Sequence, residues 1–294
     1  MGANIPVLMV SGSTLAEAWE RSLLELWEKG CEIRTDYDRR DESGAYMDPP
    51  SKDCSMCIVV ENPSAEPMIH RCFPGGLEDL EEYRQEVVEG IKDHWVRDPL
   101  DPTDTRWEYT YHGRLFSYQV PGLEAPINQV EQSILAVLTR SPHSRRAQGI
   151  TWQPWSDSGF EHPPCLQSIW CRLRMEESGR PWLNMNVRFR SRDAYDAAFM
   201  NMFALIHFQE RLAEILSQRL GRAVGVGRYV DWSDSYHIYG RRMEDFRHLF
   251  LRQVEKRTPA QRTWTRQEAL PDFERAREEI ALKIRRQDEN RAGR

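Results

Sequence analysis

Residues 194–206, Ala-Tyr-Asp-Ala-Ala-Phe-Met-Asn-Met-Phe-Ala-Leu-Ile, place apolar side chains on nearly every face of a helix, and the pattern turns amphipathic only from Gln209 to Leu220. A helix of this kind has to be enclosed by other elements. The pattern therefore implies a central buried helix facing a sheet, hence an α+β fold with a large core. The chain has 294 residues, 40% hydrophobic and 10% aromatic, enough for such a core. No linker or repeat divides it, so residues 1–294 read as one domain.

Strands are expected over Ser55–Glu61, Gly149–Pro154, Gln167–Arg174 and Trp182–Arg190, with Trp107–Tyr118 a further strand or hairpin arm. Helices are expected over Thr14–Lys29, where Leu15, Trp19, Leu23, Leu24 and Trp27 share a stripe, over Leu77–Trp95, and over Asn128–Thr139. Residues 31–53 form a polar loop insertion, and Asp98–Thr105 is a second loop. The tail 259–294 is charged throughout and reads as a solvated surface helix.

A formal charge of −6 excludes a strongly basic binder of nucleic acid, so any phosphate site is local. No apolar run approaches the roughly 20 residues that cross a bilayer and no secretory segment is evident, so no membrane partner and a cytoplasmic location are expected. Six cysteines in a chain this long do not make a disulfide framework. Cys54-Ser55-Met56-Cys57 has metal-pair spacing but lacks a second pair; it reads as strand residues, and no metal is expected.

Four distant stretches carry the chemistry: Ser144-Arg145-Arg146, Pro163-Pro164-Cys165-Leu166, Arg190-Ser191-Arg192-Asp193 and Ser235-Tyr236-His237-Ile238-Tyr239. A lone cysteine is ordinarily a small buried apolar residue. Beside Arg145, Arg146 and Arg190, however, its thiolate would be favoured, and the same guanidiniums with the Ser191 hydroxyl suit a phosphate dianion. On a strand, Arg145 and Arg146 would point in different directions. Asn201 interrupts an apolar run, where an amide needs a partner: the backbone, or a ligand with adjacent donor and acceptor such as a pyrimidine. In a strand, His237 and Tyr239 face one side and can share one hydroxyl-bearing ligand.

The order and spacing of these motifs resemble the thymidylate synthase family, including its pyrimidine nucleotide hydroxymethylases, from about Leu15 to Gly240 and best after Pro142. The likeness is to a divergent, archaeal-like branch. It implies a thymidylate synthase-like fold, a large twisted mixed sheet with a central buried helix, assembled as a symmetric homodimer. It further implies that Cys165 adds to C6 of a pyrimidine nucleoside monophosphate, whose C5 then takes a carbon from 5,10-methylenetetrahydrofolate. Arg145, Arg146, Arg190 and Ser191 would hold the phosphate, the Arg pair reaching across from the other subunit. Asn201 would read the base, His237 and Tyr239 the sugar hydroxyl, and Asp193 and Trp95 the folate. Glu86, with Glu89 as second choice, would relay protons, and Tyr111 would help remove the C5 proton.

Three departures bear on the product. The family's Arg-Thr-Gly phosphate loop is not recognisable, leaving Lys52, or Arg39 and Arg40, as replacements. Leu166 rather than His follows the nucleophile. The run Asp288-Glu289-Asn290-Arg291-Ala292-Gly293-Arg294 is polar where methylating relatives close the site with an apolar tail. Water admitted to an exocyclic methylene gives a hydroxymethyl product, whereas water excluded leaves hydride to give methyl. The polar run favours a 5-hydroxymethylase, acting on CMP, dCMP, UMP or dUMP, of the kind used in nucleoside natural product pathways. Thymidylate synthase proper is the alternative, and a non-catalytic nucleotide- or RNA-binding relative is another. Asn201 is the family's residue for uracil, but an amide can rotate to serve cytosine.

Overall fold

The computed structural model describes residues 3–98, 101 and 103–292. Eight strands form one mixed sheet: β1 (Val7–Gly12), β2 (Cys31–Ile33), β3 (Ser51–Val60), β5 (Gln148–Ile150), β6 (Leu166–Met175), β7 (Pro181–Phe189), β8 (Arg192–Asp193) and β9 (Gly225–Ile238). The order across it is β1-β3-β9-β7-β6-β5, with β2 beside β3 and β8 beside β9. β4 (Ile69–His70) stands apart, pairing with Thr263–Trp264.

Against this sheet lies α5 (Ala198–Leu220), buried from Ala198 through Leu216 as its apolar residues require. Gln209, fully buried at the turning point of its pattern, donates to the carbonyls of Leu183 (2.7 Å) on β7 and Gly227 (3.0 Å) on β9, fastening helix to sheet. α1 (Leu15–Lys29) is capped by Thr14, whose hydroxyl accepts from Glu17 N (3.3 Å), and buries Leu15, Trp19, Leu23 and Leu26. The indole N–H of Trp19 donates to Ala194 O (3.0 Å), tying α1 to the segment that leads into α5.

Several boundaries differ from expectation. α2 ends at Glu89 instead of running to Trp95, because Gly90 adopts a left-handed φ of 70°. Trp107–Tyr118 is no strand: Thr110 caps a short helix, α3 (Tyr111–Phe116), which follows α2 (Leu77–Glu89) and overrides the alternation. Asn128–Thr139 is helical as a wide π turn, Val130–Leu135, running into α4 (Ala136–Arg140). Residues 31–53 are not loop throughout; β2 and the start of β3 pair antiparallel around residues 34–50. In the tail, the helix Arg266–Ala292 is docked: Ala269, Phe273, Ala276 and Ile280 are buried, and Arg277 reaches Glu81 (2.8 Å) on α2. Its charge is solvated, but its apolar stripe belongs to the core. Gly293, Arg294 and the side chains of 287–292, and with them the polar closing run, lie outside the described residues.

A β-bulge matters most for the site. Cys54 faces Tyr236 but Met56 faces Ser233, so β9 carries one extra residue at Asp234–Ser235. Downstream of it, Tyr236 turns into the core to meet Ser22 Oγ (2.8 Å), and Ser235 and His237 turn to the other side.

Candidate active site

Cys165 sits just before β6, held by backbone pairing: its carbonyl accepts from Arg190 N (2.9 Å) where β7 ends. The guanidinium of Arg190 donates to the carbonyls of Pro163 (2.7 Å) and Pro164 (3.0 Å), so this arginine braces the Pro-Pro-Cys loop. Burial pushes the Cys165 thiol up from its ordinary pKa, and the charges of Arg190 and Arg192 oppose that push. The expected field therefore comes from Arg190 and Arg192. Arg145 and Arg146 lie in the coil ahead of β5, both exposed, and not on a strand.

Next to Cys165 stands Tyr111, its hydroxyl 3.3 Å from Leu166 N. Its position at the start of α3 is set by Asp93, which accepts from Thr110 Oγ1 (2.5 Å) and pairs with His112 Nδ1 (2.6 Å), one residue to either side. Burial pushes the Tyr111 phenol up to about 12. Arg114, on the same helix, bonds Asp157 in the interior and so anchors α3 to the protein.

A cavity of about 530 Å³ opens beside these residues, lined by Tyr83, Glu86, Trp107, Tyr109, Tyr111 and Met200, with Asp79, Glu82, Lys92, Glu108 and His162 also on its walls. Burial raises Glu86 to about 7, despite Lys92 Nζ at 3.8 Å, which is itself drawn to Glu82 at 2.5 Å. A carboxyl held near neutrality in a cleft is poised to give and take protons. Glu89, the second choice, is paired with Arg84 (3.0 Å) and exposed. Tyr83 lies one helical turn before Glu86, and its hydroxyl accepts from Asn201 Nδ2 (2.7 Å). The amide that interrupts the apolar run is thus satisfied from α2 by Tyr83, which stands on the cavity wall.

Along β3, β9 and β8, Asp53, His237 and Asp193 are direct cross-strand neighbours. Ser235 Oγ donates to Asp53 Oδ2 (2.8 Å) and lies 3.1 Å from His237 Nδ1. Burial raises Asp53 to about 6 and lowers His237 to about 4, so the imidazole is neutral at pH 7. Asp53 Oδ1 and His237 Nε2 are buried with no hydrogen-bond partner. His237 and Tyr239 do share a side, their rings 4.6 Å apart. Asp193 Oδ1 accepts from the backbone of Tyr195 (3.0 Å) and Asp196 (2.8 Å), capping the turn into α5, and burial raises it to about 6.

Other expected residues are placed elsewhere. Lys52 faces away from the Asp53–His237 row and gives its ammonium to Gly30 O (3.3 Å) and Glu32 (3.8 Å). Arg39 is paired with Asp48 (2.5 Å), and Arg40 with the hydroxyl of Tyr46 (2.5 Å). Trp95 is exposed and not on the cavity wall; Trp107, also exposed, donates its backbone N–H to the Trp95 carbonyl (3.2 Å) and is the indole that lines the cavity. Ser191 is half-buried in the bend between Arg190 and β8. Tyr83, Tyr109, Asp53 and Asp231 were not singled out from the sequence, where only the one-turn spacing of Tyr83 and Glu86 could have signalled one of them, and Arg192 lay inside a chemical motif without a role of its own.

Among the described residues, no group of three or more His, Cys, Asp or Glu is arranged to hold a metal, and no helix is long and apolar enough to cross a membrane.

Residues 76–283 match the thymidylate synthase family model. A Methanocaldococcus jannaschii protein provisionally named thymidylate synthase is 28% identical over 246 residues, covering 82% of this chain and 94% of its own. One of the same name from Methanopyrus kandleri is 36% identical over 115 residues, covering 39% and 50%. The thermostable thymidylate synthase A from Bacillus subtilis has the same fold, with a TM-score of 0.57, 17% identity, and coverage of 83% and 85%. A family match of this length, ending the α+β reading in a known fold, makes the chain a divergent member of the thymidylate synthase family, whose enzymes transfer one carbon from a reduced folate to a pyrimidine nucleotide.

Proposed function

We propose that the protein is a pyrimidine nucleotide 5-hydroxymethylase in which Cys165 is the nucleophile. The thiolate of Cys165 adds to C6 of the base; the S–C6 bond forms, and the C5–C6 π pair moves toward the C4 substituent, making C5 nucleophilic. A reduced folate, when bound, supplies the carbon that C5 takes up. The aromatic walls Trp107, Tyr109 and Tyr111 fit a flat heterocycle of that kind.

Tyr111 would help remove the C5 proton, its place beside Leu166 N supporting that role. The Asn201–Tyr83 pair would read the base edge, and His237 Nε2 and Asp53 Oδ1, both without partners, suit sugar hydroxyls. Asp193 would orient the folate. Arg145 and Arg146, exposed and free to reach outward, would meet the phosphate of a second subunit in a homodimer. The protonated Glu86 carboxyl donates to the departing group, and its carboxylate then takes a proton from water.

The observation that carries the choice of product is the cavity wall. Asp79, Glu82, Glu86, Lys92, Glu108 and His162 line the space beside Tyr111, and such a wall holds water where hydride capture needs it excluded. Water adds to the exocyclic methylene at C5, the C5–C6 double bond re-forms, and Cys165 leaves as thiolate. The test is to incubate the protein with methylenetetrahydrofolate and each of CMP, dCMP, UMP and dUMP, then weigh the products. A hydroxymethyl mass is expected. A methyl mass with dUMP would overturn the reading, and full turnover by Cys165→Ser would remove the nucleophile from it.

A further inference from the structure

Arg192 is the one residue of the Arg190–Asp193 run to which the chemistry above gives no ligand, yet it is the most deeply placed. Its side chain is 1% exposed and lies 2.5 Å from Asp231, which is 0% exposed. Asp231 is the carboxylate that holds the guanidinium, by charge at this short distance. Asp231 is steadied from its own strand by the Tyr229 hydroxyl (2.7 Å). A buried ion pair is a poor way to stabilise a core, since apolar residues of similar volume commonly do as well. Its position suggests another use. The guanidinium stacks on Phe189 (4.0 Å to the ring centre), Phe189 meets the edge of Tyr111 (6.5 Å), and the Tyr111 hydroxyl bonds Leu166 N beside the nucleophile.

We propose that Arg192, held in place by Asp231, is a positioning residue that fixes a water-free positive charge beneath Cys165 and favours its thiolate. The charged and titratable groups around Cys165 are Arg190 from the end of β7, Arg192 from β8, Tyr109 and Tyr111 from the approach to α3, and Tyr239 after β9. Tyr111 and Tyr239 are raised to about 12 and Tyr109 is raised further by burial, so below pH 9 the thiol titrates against arginines alone. Of these, Arg190 is spent on two carbonyls and is a candidate phosphate ligand. Arg192 keeps its charge in place whether or not nucleotide is bound.

The inference rests on Cys165 being the nucleophile, and its test needs no turnover. In the full-length protein without nucleotide or folate, alkylation by iodoacetamide is followed against pH, with the Cys165 peptide quantified by mass spectrometry to separate it from the other five cysteines. Arg192→Met should move the alkylation midpoint up by about one unit or more, a loss of about tenfold in thiolate at pH 7.5. Asp231→Asn, which removes the counter-charge, should move it down. Arg192→Lys should stay near wild type. Because Arg192→Met leaves Asp231 alone in the core, the double variant Arg192→Met/Asp231→Leu is made as well, and the same upward shift is expected. Midpoints that do not move in the folded double variant, or that move the same way in Asp231→Asn and in the double variant, would overturn the proposal. Failure of the C6 adduct to form in the wild type would instead sink the nucleophile reading.

Discussion

Replacing Glu86 with Gln tests the proposed acid through stability and activity at once. Glu86 moves from 4.5 to about 7 on folding, chiefly by burial, so the folded protein binds a proton there that the unfolded chain releases. The sign follows: stability from this group is fully present below about pH 4.5 and is lost as pH rises through 7. A shift of that size, which already includes the pull of Lys92, corresponds to ~3 kcal/mol, and solvent on the open side of the cavity reduces it to about 1–3 kcal/mol. Gln is neutral at every pH and escapes the loss. The variant should therefore gain about 1–3 kcal/mol on wild type between pH 5 and pH 8, or roughly 2–5 °C in Tm. Asp53 and Asp193 also titrate near 6, but they are present in both proteins and cancel in the difference. Thermal melts at the two pH values give the stability arm. In activity, kcat should fall about 10²–10⁴-fold, and the inflection near pH 7 should disappear from the remaining rate. Parallel melting curves would refute the burial argument, and an unchanged inflection would refute the role.

Tyr83→Phe leaves Asn201 Nδ2 without its acceptor and should raise KM for the nucleotide by about threefold to thirtyfold, as a lost buried hydrogen bond predicts, with the base preference narrowing; competition between UMP and CMP measures it. Arg145→Ala and Arg146→Ala should weaken nucleotide binding by about 10–100-fold in calorimetry with no change in melting temperature, because both side chains are exposed. Mixing Arg146→Ala with Cys165→Ser subunits should restore part of the activity; no restoration would place the pair's phosphate in its own subunit. Asp157→Ala strands the buried Arg114 guanidinium and should cost about 3–5 kcal/mol in denaturant unfolding, taking the placement of Tyr111 with it.

What could be read ahead of the structure was whatever rests on local pattern. The all-round apolar run could only be α5, and the four motifs were visible because each is short and contiguous. What could not be read depends on partners distant in sequence. Trp107–Tyr118 alternates like a strand, but Asp93 binds the residues on either side of Tyr111 and makes a helix start of it. The tail looked solvated because its charges outnumber its stripe, and only the exposed side of α2 shows where Phe273 and Ile280 go.

The division of labour inside Arg190–Asp193 shows why spacing alone was insufficient. In β8, Arg192 and Asp193 are consecutive and so must face opposite sides of the sheet, as must their partners on β9, Tyr236 and His237. One side of β8 and β9 therefore turns Arg192 and Tyr236 to the core, and the other turns Asp193 and His237 toward Asp53 and Tyr239, whose phenol feels the charge of Cys165. Which residue goes to which face is decided by the bulge at Asp234–Ser235, since a single-residue slip would exchange them. Had His237 been turned inward, its imidazole would lie buried against Trp19 and Ser22, and Tyr236 would occupy the ligand side. The late His-x-Tyr motif thus turns toward Asp53 and Asp193 only because two residues before it do not pair, a property of the β3–β9 register that neither strand reveals alone.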